Sequence, residues 1–259
     1  MEKKKGISGS TLKMIAIVTM LIDHIGAVVL ARLLMVNGLG ELDQTNTDAI
    51  MQWLSANGAL YGTYTVMRMI GRVAFPIFCF LLVEGFLHTH DVKKYAMRLG
   101  LFALLSEIPF DLAFSSKILE FNYQNVFFTL FIGLLTMIAY RAVEEKEEWG
   151  QAWKVILYIL IVAAGMALAY FLKTDYAEKG VFCIMVLYIF RKKKMWQLIA
   201  GCASFIWETP ALFGFIPIAF YNGTRGWKMK YFFYIFYPAH LLILYLLCYF
   251  MGISGYSAV

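Results

Sequence analysis

Apolar residues run along this chain in long blocks, and short polar or charged stretches separate them. A helix that crosses a bilayer needs roughly 20 mostly apolar residues. Nine blocks approach or reach that length: about Leu12 to Leu33, Thr65 to Leu87, Tyr95 to Ser115, Asn125 to Arg141, Trp153 to Leu172, Val181 to Phe190, Met195 to Trp207, Ala211 to Tyr221 and Tyr231 to Met251. The sixth, seventh and eighth are short, which leaves seven to nine spans with half-length or re-entrant segments as the alternative. The pattern predicts an all-α fold, a polytopic transmembrane bundle of about nine spans forming one domain over residues 1–259. Between the first two blocks, Ala49 to Leu60 reads as a helix lying at the interface. No internal repeat, low-complexity tract or linker interrupts the order.

Composition supports the membrane reading. Hydrophobic residues make up 61% of the chain and charged residues 15%, against about half and a quarter in a soluble domain. The formal net charge is +6, yet the cations sit in short runs between apolar blocks rather than in a basic module, which argues for topology and against nucleic acid. With the N-terminus inside, fifteen Lys and Arg fall on inner segments, and only Arg32, Lys117, Lys173 and Lys179 on outer ones. That asymmetry follows the positive-inside rule and puts the C-terminus outside. Met1 to Lys5 followed by an apolar run resembles the start of a signal peptide, but Asp23 and His24 inside the run argue for a retained first helix. The inner segment from Arg141 to Lys154, with Glu144, Glu145, Glu147 and Glu148, reads as a solvated loop. Cys79, Cys183, Cys202 and Cys248 lie in apolar stretches without a CxxC pair, so free thiols are expected and a metal site is not.

Ionisable residues at membrane depth are costly and are functional candidates by default. They are Asp23, His24, Arg68, Arg72, Glu84, Glu107, Asp111 and His240. Residues four apart share a helix face, so Arg68 and Arg72 form a basic face and Glu107 and Asp111 an acidic one. The simplest packing opposes these faces beside Asp23 and His24, in a polar pocket biased outward. An ion-pair network that only joins the first three helices is the alternative. A histidine in such a pocket is suited to take and give a proton near neutral pH. Asp23 and His24 are adjacent and point about 100° apart around a helix, so Glu107 or Asp111 from the third block could orient His24 in place of Asp23. His240 reads either as a satisfied core histidine or as part of the site. Glu84 and His88 share the inner end of the second block, followed by His90, Lys93 and Lys94. The segment Tyr221 to Lys230 reads as a flexible basic loop suited to phosphate, or as positive-inside charge alone. Its Asn222-Gly-Thr sequon falls on the inner side, where it is not glycosylated. Asp175 and Glu178 sit on an outer turn that could face the pocket mouth, and Glu208 on a second outer turn; neither is specific alone.

These motifs together resemble the TraX family, whose founding member acetylates the N-terminus of conjugative pilin. The segments that carry the resemblance are LKMIAIVTMLIDHIG from Leu12, MRMIGRVAFPIFCFLLVEGFLHTHDVKKYAMRL from Met67 and LLSEIPFDLAF from Leu104. NVFFTL from Asn125, TDYAEKGV from Thr174, YNGTRG from Tyr221 and KYFFYIFYPAHLLILYLL from Lys230 complete it. More distantly, the chain is similar to the transmembrane acyltransferases that include heparan-alpha-glucosaminide N-acetyltransferase. The resemblance implies a multi-pass cell-membrane acyltransferase with acetyl-CoA as donor substrate and no metal. Acceptors it leaves open are a peptide, lipid or glycan at the outer face. His24 is the implied catalytic base, with Asp23, Glu107, Asp111 and Arg72 around it. Arg68, Glu84, Lys93, Lys94, Asn222, Arg225, Lys228, Lys230 and His240 form the expected donor-binding set. A small-molecule transporter and a non-catalytic scaffold for a surface structure are the alternatives.

Overall fold

The computed structural model describes residues 5–227 and 230–257, with Lys230 described by its backbone alone. The expectations for Lys228 and for the Lys230 side chain therefore lie outside the described residues.

Ser8 starts the first helix. Its hydroxyl accepts from the Thr11 amide at 3.3 Å, satisfying one of the N–H groups that a helix start leaves unpaired. The Gly9 and Ser10 amides donate to the carbonyls of Thr224 and Arg225 at 2.8 and 3.0 Å. The carbonyls of Thr224 and Arg225 thus tie that part of the loop after Phe220 to the start of this helix. Helix α1 runs Gly9–Val36, 28 residues, or about 42 Å at 1.5 Å per residue. Its stretch Ile25–Leu30 is a π-helical turn.

Helices α2 (Thr47–Gly71) and α3 (Ala74–His88) follow. Asn46 caps α2 by accepting from the Ala49 amide at 3.1 Å. Two expectations are corrected here. The predicted interfacial helix Ala49 to Leu60 is the first half of α2, because no proline stands between Leu60 and Thr65 and the lone Gly62 costs only about 1 kcal/mol. The predicted span Thr65 to Leu87 is broken at Arg72 and Val73. Pro76 supplies the reason: it has no N–H for the Arg72 carbonyl, and its ring crowds that position. Within the first turn of a new helix the same proline is tolerated.

The remaining helices are α4 (Val92–Ser115), α5 (Val126–Glu144), α6 (Gln151–Phe171), α7 (Ala177–Ile189) and α8 (Lys194–Ser204). Then come α9 (Thr209–Ala219), which opens as a 3-10 turn, and α10 (Lys230–Phe250). Asp91 caps α4 by accepting from the Lys94 amide, and Asn125 caps α5 by accepting from the Phe127 amide. Five stretches among the described residues are long and apolar enough to cross a membrane: Gly9–Val36, Thr47–His88, Val126–Glu144, Gln151–Phe171 and Tyr231–Phe250. Helices α7 and α8, with 13 and 11 residues, reach only about 20 and 17 Å, short of a hydrocarbon core of about 30 Å.

Helix α7 lies inside the bundle. It buries Val181, Cys183, Ile184, Met185, Leu187 and Tyr188 against α3, α5, α6 and α8. Helix α6 is apolar all round and buries only Gly165 and Ala169, the pattern of a helix facing lipid. A methyl at Gly165 would overlap the Thr136 hydroxyl, so the glycine is what lets α6 approach α5. Helix α10 lies along α4 and against the π turn of α1. All four cysteines are unpaired thiols.

Candidate functional site

His24 ends the α-helical part of α1 and directly precedes the π turn. Such widened turns recur at functional sites. His240 projects from α10, two residues past Pro238. His24 Nδ1 and His240 Nε2 are 2.6 Å apart, and the rings lie parallel with centroids 4.9 Å apart. His240 Nδ1 is 2.7 Å from the Phe236 carbonyl oxygen. A carbonyl only accepts, so His240 Nδ1 carries the hydrogen. The Nε2 of neutral His240 then accepts from His24 Nδ1–H. This chain leaves the lone pair of His24 on Nε2, which has no hydrogen-bond partner among the described residues. The edges of Phe114 and Tyr237, at 5.7 and 5.9 Å between ring centroids, hold the imidazole from two sides.

His24 lines a cavity of about 60 Å³, roughly the volume of two waters. The polar wall consists of Asp23 and His24 from α1, Arg68 from α2, Arg72 between α2 and α3, and Tyr123, Asp175, Tyr176 and Tyr237. Phe75, Phe78, Phe110 and Phe114 form much of the apolar wall. Arg68 donates to Asp23 in a direct ion pair. The close approach depends on Gly71, where a methyl would overlap the Asp23 side chain. Arg72 lies 3.6 Å from Glu208. The far rim is the loop between α6 and α7. There the Tyr123 hydroxyl donates to the Asp175 carboxylate at 2.8 Å, and Thr129 donates to the Asp175 carbonyl. Burial pushes the Asp175 carboxyl up, while the Tyr123 hydroxyl and the Arg72 and Arg68 guanidiniums pull it back. Tyr176 and Ala177 have φ of +62° and +41°, a region that bulky and branched side chains rarely adopt and one that stores strain at functional sites. Stacking of Tyr176 on Phe75, with centroids 3.6 Å apart, holds that conformation.

The structure brings together Asp23, His24, Arg68, Arg72, Asp175 and His240. It does not oppose the basic and acidic faces, and that expectation is corrected. Glu107 binds the Asn125 side chain, and Asp111 accepts from the Glu120 amide at 2.8 Å. Their partners are the loop that leads into α5, because that loop offers unpaired N–H groups nearer than any guanidinium. For the same reason neither acid orients His24; His240 does. His240, counted with the donor-binding set, stands mid-helix and touches His24 from behind, without lining the cavity. Arg68, counted with the same set, lines the cavity. Glu84, Lys93, Lys94, Asn222 and Arg225 lie at the opposite end of the bundle, where α3 ends and α1 and α4 begin. Sequence reasoning passed over Tyr123, Tyr176 and Tyr237 as site residues. Two of them sit in loops that carry no periodicity, and only the position of Tyr176 beside Asp175 offered a signal.

A family model described as TraX protein matches residues 8–248 of the chain. A probable fimbrial assembly protein FimC, serogroup H1, from Dichelobacter nodosus is 26% identical over 215 residues, covering 70% of this chain and 82% of that protein. No solved structure matches.

Proposed function

The chain belongs to the TraX family, and from that premise and the geometry of the cavity we propose that it is a multi-pass membrane acetyltransferase. It moves an acetyl group from acetyl-CoA, bound from the cytoplasm, to an amino or hydroxyl acceptor such as a peptide N-terminus at the outer side. The observation that carries this reading is the chain from the Phe236 carbonyl through His240 to His24, which leaves the basic His24 Nε2 free on a cavity beside two guanidiniums.

The acceptor nitrogen attacks the thioester carbonyl carbon while His24 Nε2 takes its proton. A carbon–nitrogen bond forms, the carbon–sulfur bond breaks, and the leaving thiolate receives the proton from His24. His240 Nε2 keeps its hydrogen bond to His24 Nδ1–H throughout and so stabilises the transient imidazolium. Arg72 or Arg68 faces the negative charge that develops on the carbonyl oxygen. Asp23 and Asp175 offer carboxylates to an incoming ammonium group.

Purified protein assayed with acetyl-CoA and a peptide amine tests the reading. His24→Ala lowers the rate about 10²–10⁴-fold with little change in melting temperature. His240→Ala lowers it less, because Nε2 of His24 remains but its tautomer is no longer fixed. Full activity in His24→Ala sinks the proposal. The name of the D. nodosus relative favours a second reading, a non-catalytic assembly factor. In that case His24→Ala leaves surface assembly intact in cells.

A further inference from the structure

Lys13 and Arg98 reach rings in the first turns of α10, Arg225 sits beside Lys13, and none of the three has a carboxylate partner among the described residues. Lys13 reaches over the Phe233 ring, with Nζ 5.2 Å from the centroid, and feels the charge of Arg225. Arg225 lies in the loop pinned to the start of α1, one turn before Lys13. Arg98 projects from α4 toward the Tyr234 hydroxyl and lies over the Tyr95 ring, with Cζ 5.9 Å from the centroid. Among the described residues, ion pairs engage Arg68, Arg72, Lys94, Lys117, Arg141, Arg191 and Lys192, but not Lys13, Arg98 or Arg225. The Arg98 Nε is shut off from solvent and has no hydrogen-bond partner. An unpaired guanidinium N–H in such a place is costly, and an anion would satisfy it. Of the acids at this end of the bundle, Glu84 faces the Tyr221 hydroxyl and His88, and Asp91 pairs with Lys94.

We infer that Lys13, Arg98 and Arg225 form an anion subsite for phosphoryl groups, lined by the phenols of Tyr95 and Tyr234, at the end of the bundle opposite the cavity. This rests on the acyl-transfer reading, in which the phosphates belong to the donor. The spacing fits that ligand. Lys13 and His24 are eleven residues apart on α1, about 16 Å at 1.5 Å per residue, a gap matched by an extended pantetheine arm. On α10, Tyr234 and His240 are six residues apart, about 9 Å. A donor whose phosphates rest at Lys13 would have its thioester beside His24. A guanidinium and an ammonium suit a diphosphate, the first by its fork and the second as a point charge.

The test measures binding to the full-length protein in neutral detergent. The ligands are coenzyme A, pantetheine (the same arm without phosphates) and phosphatidylglycerol, and the proteins are wild type, Arg98→Gln, Lys13→Gln and Arg98→Lys. The expected result is at least about a tenfold loss of coenzyme A affinity in each Gln variant, unchanged pantetheine binding, and a smaller loss in Arg98→Lys. If Arg98→Gln does not fold, Lys13→Gln and Arg98→Lys decide. Equal coenzyme A affinity in all variants overturns the subsite while leaving the acyl-transfer reading in place. Wild type that binds neither coenzyme A nor pantetheine overturns both. An Arg98-dependent stabilisation by phosphatidylglycerol without coenzyme A binding assigns the cations to lipid and overturns the donor subsite.

Discussion

At the residue scale, the cavity depends on one glycine and one tautomer. Gly71 is the last residue of α2 and the only buried one in that helix. Any side chain there displaces Asp23, and with it the partner of Arg68. The cost to stability of such overpacking is about 1–3 kcal/mol, since Asp23 has a helix end to move against. The cost to chemistry is larger, because both guanidiniums lose their register with His24. Gly71→Ala is therefore expected to fold, to melt a few degrees lower, and to lose tenfold or more in kcat/KM. An unchanged rate would show that the Asp23–Arg68 pair has no part in catalysis. The tautomer of His24 is set by a neutral acceptor, His240, rather than by a carboxylate. No buried negative charge is then needed next to the base.

At the element scale, the ends of helices are tied by side chains that carry no chemistry in the cavity. Arg32 is fully buried without an acidic partner. Its Nε donates to the Tyr256 carbonyl at 2.9 Å, and its other nitrogens donate to the carbonyls of Val28 and Ala113 at 2.9 and 2.6 Å and to Ser116 Oγ at 3.0 Å. The Ala113 carbonyl belongs to the last turn of α4, the negative end of its dipole. Carbonyls thus do the work of a counter-ion, and one side chain joins α1, α4 and the C-terminal segment. Arg32→Met should lower stability by about 3 kcal/mol, read as a drop in melting temperature. The affinity for coenzyme A should not change, because the clamp sits at the end away from Lys13 and Arg98. The π turn belongs to the same scale. By widening the helix after His24 it turns both His24 and Arg32, eight residues apart, toward α4.

At the scale of the whole molecule, the cavity is lined on one side by the loops around Tyr123 and Asp175. The cation cluster occupies the opposite end of the bundle. Donor and acceptor would then enter from opposite faces, and the positive-inside asymmetry leads one to expect the C-terminus on the acceptor's side. Reporter fusions check this. A phosphatase active only outside the cytoplasm should work at the C-terminus, and a fluorescent protein that folds only inside should light at the N-terminus. The reverse result would put the cavity on the cytoplasmic side, with donor and acceptor sharing one entrance.

The sequence by itself determined the class of molecule, the long apolar helices and the identity of most polar groups in the cavity. Hydropathy needs only local composition, and a charge inside an apolar block is visible wherever it sits. Asp23, His24, Arg68, Arg72 and His240 were legible for that reason. Their partners were not. Which acid meets which base depends on helix rotation and depth, and the π turn in α1 and the break at Arg72 both shift the faces that a 3.6-residue period assigns. Only the tertiary structure paired His24 with His240, sent Glu107 and Asp111 to the loop before α5, and left Arg98 beside two phenols without a carboxylate among the described residues. Each of these contacts joins residues far apart in the chain. Packing decided them, through competition among all the donors and acceptors that the folded bundle brings within reach.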